Sequence, residues 1–199
     1  MTLRASGYKA PLDVKPVFIG PESYMKVIGL AGWSGAGKTT LLTRLIPYFI
    51  AEDLRVSVIK HAHHEFDVDM PGKDSWIHRQ SGAIEVLVSS TQRWALMHEL
   101  RGSREPNLAE LLAKMSPVDL VVIEGFKREL HRKIEVHRAA NGKPALFPDD
   151  PGIVGIATDA KLETQLPVAH LDDVKAVAAM MHASAVDIED VLAQGIPET

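Results

Sequence analysis

The sequence predicts an α/β fold: a mostly parallel, twisted sheet with helices on both faces. Three observations carry that expectation. Short runs such as KVIGLA (Lys26 to Ala31) and VDLVVIEG (Val118 to Gly125) are apolar over most of their length, as strands covered on both faces must be. Segments with helical spacing alternate with these runs. Finally, a glycine-rich turn, GWSGAGKTT from Gly32 to Thr40, joins the first apolar run to the first helical one.

Each element follows in order. Residues 1–24 hold Pro11, Pro16 and Pro21 with Gly7 and Gly20 and show little periodicity, so they read as a poorly ordered extension, with Met25 as an alternative start. KVIGLA is the first strand. Leu41, Leu42, Leu45 and Ile46 set the spacing of the first helix, which Pro47 is expected to kink or shorten. RVSVIK (Arg55 to Lys60) is a second strand, and the polar HAHHEFDVDMPGKDS leads to a short helix near Ser75–Gly82. IEVLVSS and RWALMHEL are the next strand candidates, followed by a helix opened by Pro106 and Asn107 and running to about Met115. VDLVVIEG, KIEVHR and GIVGIAT are further strands, and residues 171–183 and 186–194 read as closing helices.

The glycine-rich turn carries the chemistry. Gly32, Gly37, Lys38 and Thr39 stand at the spacing G-x-x-x-x-G-K-[ST], the phosphate-binding P-loop, in the strand-to-helix context that this motif requires. The glycines let amide N–H groups point inward, and the helix behind them presents its positive end, so the pocket favours a di- or triphosphate. Lys38 would reach the terminal phosphates, and the Thr39 hydroxyl would sit on Mg²⁺. Residues 25–199 therefore read as one P-loop nucleotide-binding domain.

Composition narrows the setting. The chain has 199 residues, 46% of them hydrophobic and 24% charged, enough for one domain with a sizeable core. A formal net charge of −4 gives no basic field to recruit nucleic acid or an anionic membrane. Cysteine is absent, which removes disulfides, thiolate metal sites and cysteine nucleophiles and fits a reducing compartment. With no apolar run of membrane-spanning length and no signal-peptide layout, a cytoplasmic location is expected.

A P-loop needs a carboxylate for the magnesium shell. VDLVVIEG supplies Asp119 at its start and Glu124 at its end. Glu124 is the better placed, because ligands in open α/β sheets bind beyond the carboxyl ends of strands; a structural role is the alternative. Asp67, Asp69, Lys73 and Asp74 crowd one loop and are either a phosphate-responsive switch or a solvated polar loop. His61, His63 and His64 match no standard metal spacing and read as ordinary loop histidines. The stretch from Phe126 to Arg138 carries Lys127, Arg128, Arg132, Lys133 and Arg138 against Glu129 and Glu135. It is a surface for a phosphorylated ligand or acidic partner, or a solvated charged edge.

MKVIGLAGWSGAGKTTLLTRLI, VIKHAHHEFDVDMPGKDSWIHRQSGA and DLVVIEGFK together resemble the molybdopterin-guanine dinucleotide biosynthesis protein B family, from about Met25 to about Asp159. The resemblance implies a P-loop fold, GTP binding with weak Mg²⁺-dependent hydrolysis, a homodimer, and an accessory role to a molybdopterin guanylyltransferase-type enzyme, with a molybdopterin-type ligand within reach. It implies that Gly32, Ser34, Gly35, Ala36, Gly37, Lys38, Thr39 and Thr40 carry the phosphates. It also places Thr39 and Glu124 at the magnesium and Asp69 in a switch-like loop that serves catalysis. The stretch beyond Asp159 carries no motif of the family. No N-K-x-D guanine-reading stretch occurs, and Asp159, at the end of IATD, is the substitute that the sequence offers. A small-molecule kinase and a metal-insertion GTPase are the competing readings. The first would need arginines such as Arg101 and Arg104 to close over the phosphate, and the second a richer His cluster than HAHH.

Overall fold

The computed structural model describes residues 25–62, 66–126 and 129–194. The extension at 1–24, His63, His64, Lys127 and Arg128 lie outside the described residues. Two sheets form among the described ones. The main sheet runs in the order β2 (Val56–Lys60), β5 (Leu120–Glu124), β1 (Lys26–Ala31), β6 (Lys133–His137), β7 (Ile153–Thr158), β8 (Val168–His170). All these pairs are parallel. A two-residue strand, β9 (Val186–Asp187), adds antiparallel to the start of β1, below the point where β6 begins to pair.

Both faces of this sheet are apolar, and alternate residues choose the face. Ile28, Leu30, Leu120, Val122, Ile134 and Val136 pack under α1 (Lys38–Ala51) and α4 (Val174–Ser184). Val27, Val121 and Ile123 pack with Leu108 and Leu112 of α3 (Leu108–Leu112) and Ile188 and Val191 of α5 (Ile188–Gln194). Burial of these layers holds together elements as short as α3, which would not persist alone. The start of α3 is reinforced by a capping box: Asn107 accepts from the Glu110 amide, and the Glu110 carboxylate accepts from the Asn107 amide.

Three expectations need correction. Pro47 does not shorten α1, which continues to Ala51, because Leu45 and Phe49 on either side of it are buried against the sheet. β3 (Glu85–Ser89) and β4 (Trp94–His98) are strands, but they form a separate antiparallel hairpin rather than joining the parallel sheet. The basic stretch 126–138 is not one surface: β5 and β6 are both parallel to β1, so the chain between them crosses the whole sheet. Phe126 and Arg138 stand at the carboxyl ends of the strands, whereas Arg132 and Lys133 stand at an amino end. Lys133 is buried and paired with Asp150 at 2.9 Å. Glu135 is buried too, accepting from the amides of Leu146 and Phe147.

Candidate functional site

The P-loop leaves β1 at Ala31 and enters α1 at Lys38. Gly32 is a close approach: a Cβ there would stand 2.5 Å from the Val136 carbonyl oxygen. The N-cap of α1 is Gly37, with no side chain capping the first turn, so this 14-residue helix presents its amides to whatever occupies the loop. Lys38 bends back over the loop, its Nζ donating to the carbonyls of Gly32 at 2.8 Å and Trp33 at 3.0 Å.

The facing wall comes from β5 and β2. Register sets Leu30, Glu124 and Lys60 side by side at the carboxyl ends of β1, β5 and β2. The Thr39 hydroxyl donates to Oε1 of Glu124 at 2.8 Å, and Lys60 Nζ lies 3.8 Å from Oε2. After Glu124 the chain turns sharply at Gly125, φ 107°, where a Cβ would meet the Cβ of His61 at 2.8 Å. The His61 amide donates to the Glu124 carbonyl, its ring packs on Phe126, and its Nε2 lies 2.8 Å from Glu105. Together these groups bound a cavity of about 330 Å³ lined by Gly32, Ser34, Lys38, Lys60, His61 and Glu124, among others. Its lining of cations and P-loop backbone, with the Thr39–Glu124 pair at its edge, suits a polyphosphate. Two oxygen donors in contact, Thr39 and Glu124, suit a hard cation such as Mg²⁺.

Asp119 stands at the other end of β5, accepting from the Arg55 amide at 2.8 Å and from its guanidinium at 2.9 and 3.0 Å. These hydrogen bonds hold its carboxyl below the usual carboxylate range. Asp69 does not line the cavity. Its side chain is buried and accepts from Ser75 at 2.8 Å and from Arg79 at 3.3 Å. Arg79 also binds Asp67 twice at 2.8 Å and Glu99 at 2.7 Å, tying the acidic loop to α2 (Asp74–Gln80) and to the end of the hairpin. Arg101 donates to the Arg79 and Ala83 carbonyls and Arg104 to Glu110, so both are engaged away from the P-loop.

A third wall was only partly legible. Asn141 Nδ2 donates to the Ser34 carbonyl at 3.1 Å and Trp33 Nε1 to the Pro144 carbonyl at 2.8 Å, fastening the segment after β6 onto the P-loop. Arg138, from the same segment, points its guanidinium at Gly37. No motif in the sequence marks this contact.

The family model of molybdopterin guanine dinucleotide synthesis protein B, MobB, matches residues 27–159, the span that contains the P-loop, Glu124 and Asp159. This chain belongs to the MobB family. It is 40% identical over 160 residues to the molybdopterin-guanine dinucleotide biosynthesis adapter protein of Escherichia coli (strain K12), covering 79% of this chain and 91% of that one. It is 40% identical over 168 residues to the adapter protein of the same description from Haemophilus influenzae, covering 82% and 90%. A crystal structure of molybdopterin-guanine biosynthesis protein B superposes with a TM-score of 0.64 at 26% identity, over 79% of this chain and 98% of that one. The Bacillus subtilis MobB structure, at 21% identity and a TM-score of 0.55, shares the fold. Among the described residues no helix is long and apolar enough to cross a membrane.

Proposed function

We propose that this chain is a GTP-binding adapter of molybdenum cofactor biosynthesis, assisting a guanylyltransferase-type enzyme that attaches a guanine nucleotide to molybdopterin. The observation that carries the nucleotide half is the Thr39–Glu124 hydrogen bond at 2.8 Å beside Lys38, which closes a phosphate cradle with a ready pair of metal ligands. The adapter half comes from the relatives, which are described as adapter proteins.

In this reading the amides from Ser34 to Gly37 and the first turn of α1, including Thr40, surround the β- and γ-phosphates, and Lys38 exchanges its two carbonyl partners for phosphate oxygens. Thr39 and Glu124 would hold Mg²⁺, which would supply neutralisation of phosphate charge. Asp69 holds the loop after β2 in place through Ser75 and Arg79, so that the loop and the hairpin move together. Hydrolysis is slow, since Arg101 and Arg104 are committed elsewhere. An anionic pterin reaching this end of the sheet meets Lys60 and Arg138. The cysteine-free chain acts in the reducing cytoplasm.

The chain works as a homodimer in this proposal, with the hairpin as its interface. β3 and β4 leave Leu87 and Leu96, a directly opposed pair, and Trp94 exposed on a sheet of only two strands, which is marginal by itself. Leu87→Glu with Leu96→Glu should convert a dimer to a monomer in light scattering; unchanged mass would remove the hairpin as the interface.

Calorimetric titration with GTP, ATP and pyrophosphate, with and without Mg²⁺, tests the site. GTP and pyrophosphate should bind, more tightly with Mg²⁺. Cofactor synthesis by the partner enzyme at limiting GTP tests the adapter role. Equal yields with and without this protein, or rapid phosphorylation of a small acceptor, would favour a kinase instead.

A further inference from the structure

The metal-side pair fixes the direction in which a nucleotide must lie. Thr39 and Glu124, the pair that would hold Mg²⁺, stand on the β5 side of β1, which is where the β- and γ-phosphates would lie. A nucleoside would then leave on the opposite side, over the carboxyl ends of β6 and β7. Two charged side chains wait at that edge. Arg138, the residue after β6, has a guanidinium nitrogen 3.3 Å from where a Cβ on Gly37 would stand. Its Nη1 lies 3.4 Å from Oδ2 of Asp159, the residue after β7. Arg138 thus links the phosphate cradle to one carboxylate across the width of a guanidinium.

That carboxylate is fixed and charged. Oδ1 of Asp159 accepts from the Ala139 amide at 2.7 Å, and this hydrogen bond, ahead of the nearby charge of Arg138, holds the carboxyl below its usual range. The long contact to Arg138 leaves Oδ2 with lone pairs to offer. The bonds from Asn141 to Ser34 and from Trp33 to Pro144 keep the segment that carries Arg138 in constant register with the P-loop.

We propose that Asp159 is the residue that selects guanine, with Arg138 as its positioning residue; the inference rests on the P-loop reading above. The chemistry is a match of donors to acceptors. The Watson–Crick edge of guanine presents N1–H and the exocyclic amine side by side, two donors that a carboxylate accepts together. Adenine presents an acceptor at N1, which faces the carboxylate with like polarity. A carboxylate alone, at the end of IATD, does the selecting in a chain that has no N-K-x-D stretch.

The test uses the full chain and its Asp159→Asn variant, titrated with GTP, ATP, xanthosine triphosphate (XTP) and pyrophosphate in Mg²⁺. Xanthine keeps N1–H but carries a carbonyl where guanine has its amine, so it matches an amide rather than a carboxylate. The parent should prefer GTP over ATP and XTP. In Asp159→Asn, GTP affinity measured relative to pyrophosphate should fall about ten- to a hundredfold, the loss of a hydrogen bond to a charged group, while XTP affinity rises. Arg138→Gln should lower the GTP-to-ATP ratio, and Arg138→Lys should recover part of it. An Asp159→Asn variant that binds pyrophosphate and still prefers GTP over XTP overturns the assignment and leaves the P-loop reading intact. A parent chain that binds neither pyrophosphate nor any nucleotide overturns the P-loop reading itself.

Discussion

The two ends of the main sheet handle charge in opposite ways. At the amino ends the charged groups are paired with one another: Asp119 takes three hydrogen bonds from Arg55, Lys26 pairs with Asp187 at 2.8 Å, and buried Lys133 pairs with Asp150 at 2.9 Å. At the carboxyl ends the cations rest on partners that a ligand can replace. Lys38 sits on two backbone carbonyls, Lys60 stands 3.8 Å from Glu124, and Arg138 stands 3.4 Å from Asp159. The same residue types thus fasten the fold at one end and face a cavity at the other, as expected where binding occurs beyond the carboxyl ends of strands. Substitutions at the two ends should therefore separate binding from stability.

The largest effect is expected at the P-loop. Lys38→Ala removes a cation that includes two loop carbonyls among its partners, so GTP affinity should fall by about a hundredfold or more, with a much smaller effect on the thermal midpoint. A variant that binds GTP as the parent does would end the contrast. The mirror experiment is Asp150→Ala, which takes the carboxylate away from a Lys133 that is 1% exposed and also removes the acceptor of the Gly152 amide. Breaking a buried ion pair from one side costs about 3 kcal/mol, to be read in denaturant unfolding, with GTP affinity per folded molecule unchanged. Intact stability would show that the amino end is not what fastens β6 to β7.

The contrast between the ends was half legible in the sequence. The P-loop, β1, α1 and β5 stood out because a fixed motif and unbroken apolar runs leave few other readings, and Pro106 with Asn107 marked the start of α3. The hairpin was readable as two strands but not as a separate sheet, because alternation of side chains says nothing about which strand a given strand pairs with. β8 and β9, of three and two residues, are too short to carry a period. Charge misled most in KIEVHR. A lysine and a glutamate two residues apart read as part of a ligand- or partner-facing surface or of a solvated edge, and only the distant Asp150 and the amides of Leu146 and Phe147 make their burial affordable. Such partners come from chain segments that no local pattern connects. The Arg138–Asp159 contact was hidden for the same reason, although each residue was visible by itself.

Acid should weaken the amino end specifically. His131 is 2% exposed, its ring lies where a Cβ on Gly29 would be, and burial, then the charge of Lys133, pushes its imidazole down to about 4 from 6.5, with Asp150 opposing the shift. The folded state therefore stays neutral at His131 while the unfolded chain takes up a proton. Stability from this group is fully present above pH 6.5 and is lost as the pH falls to about 4. The loss is about 1.4 kcal/mol per pH unit, or about 3 kcal/mol across the window as an upper bound. Unfolding free energies of the parent and of His131→Asn at several pH values between 4 and 7 should diverge in slope, with the variant flatter. Parallel slopes would mean that His131 is protonated in the folded protein.

The smallest and sharpest comparison lies within a single strand. Asp119 and Glu124 are five residues apart at opposite ends of β5, and the sequence favours Glu124 as the magnesium acid. Their partners now differ in kind: Asp119 faces a guanidinium and a backbone amide, and Glu124 faces a hydroxyl beside the cavity. Glu124→Gln preserves the shape and an acceptor for Thr39 but removes the charge that a divalent cation needs, so Mg²⁺-dependent GTP binding or hydrolysis should weaken by about tenfold, with Mg²⁺-independent binding little altered. Asp119→Asn leaves Arg55 one acceptor oxygen and turns an NH2 donor toward its guanidinium, so on this partly exposed pair it should lower stability slightly while leaving nucleotide binding where it was. Titrating Mg²⁺ at fixed GTP for the two variants decides between the ends. If Asp119→Asn shows the larger shift in Mg²⁺ dependence, the metal acid lies at the amino end, and the division of the sheet into a fastening end and a binding end is wrong at the strand on which it depends most.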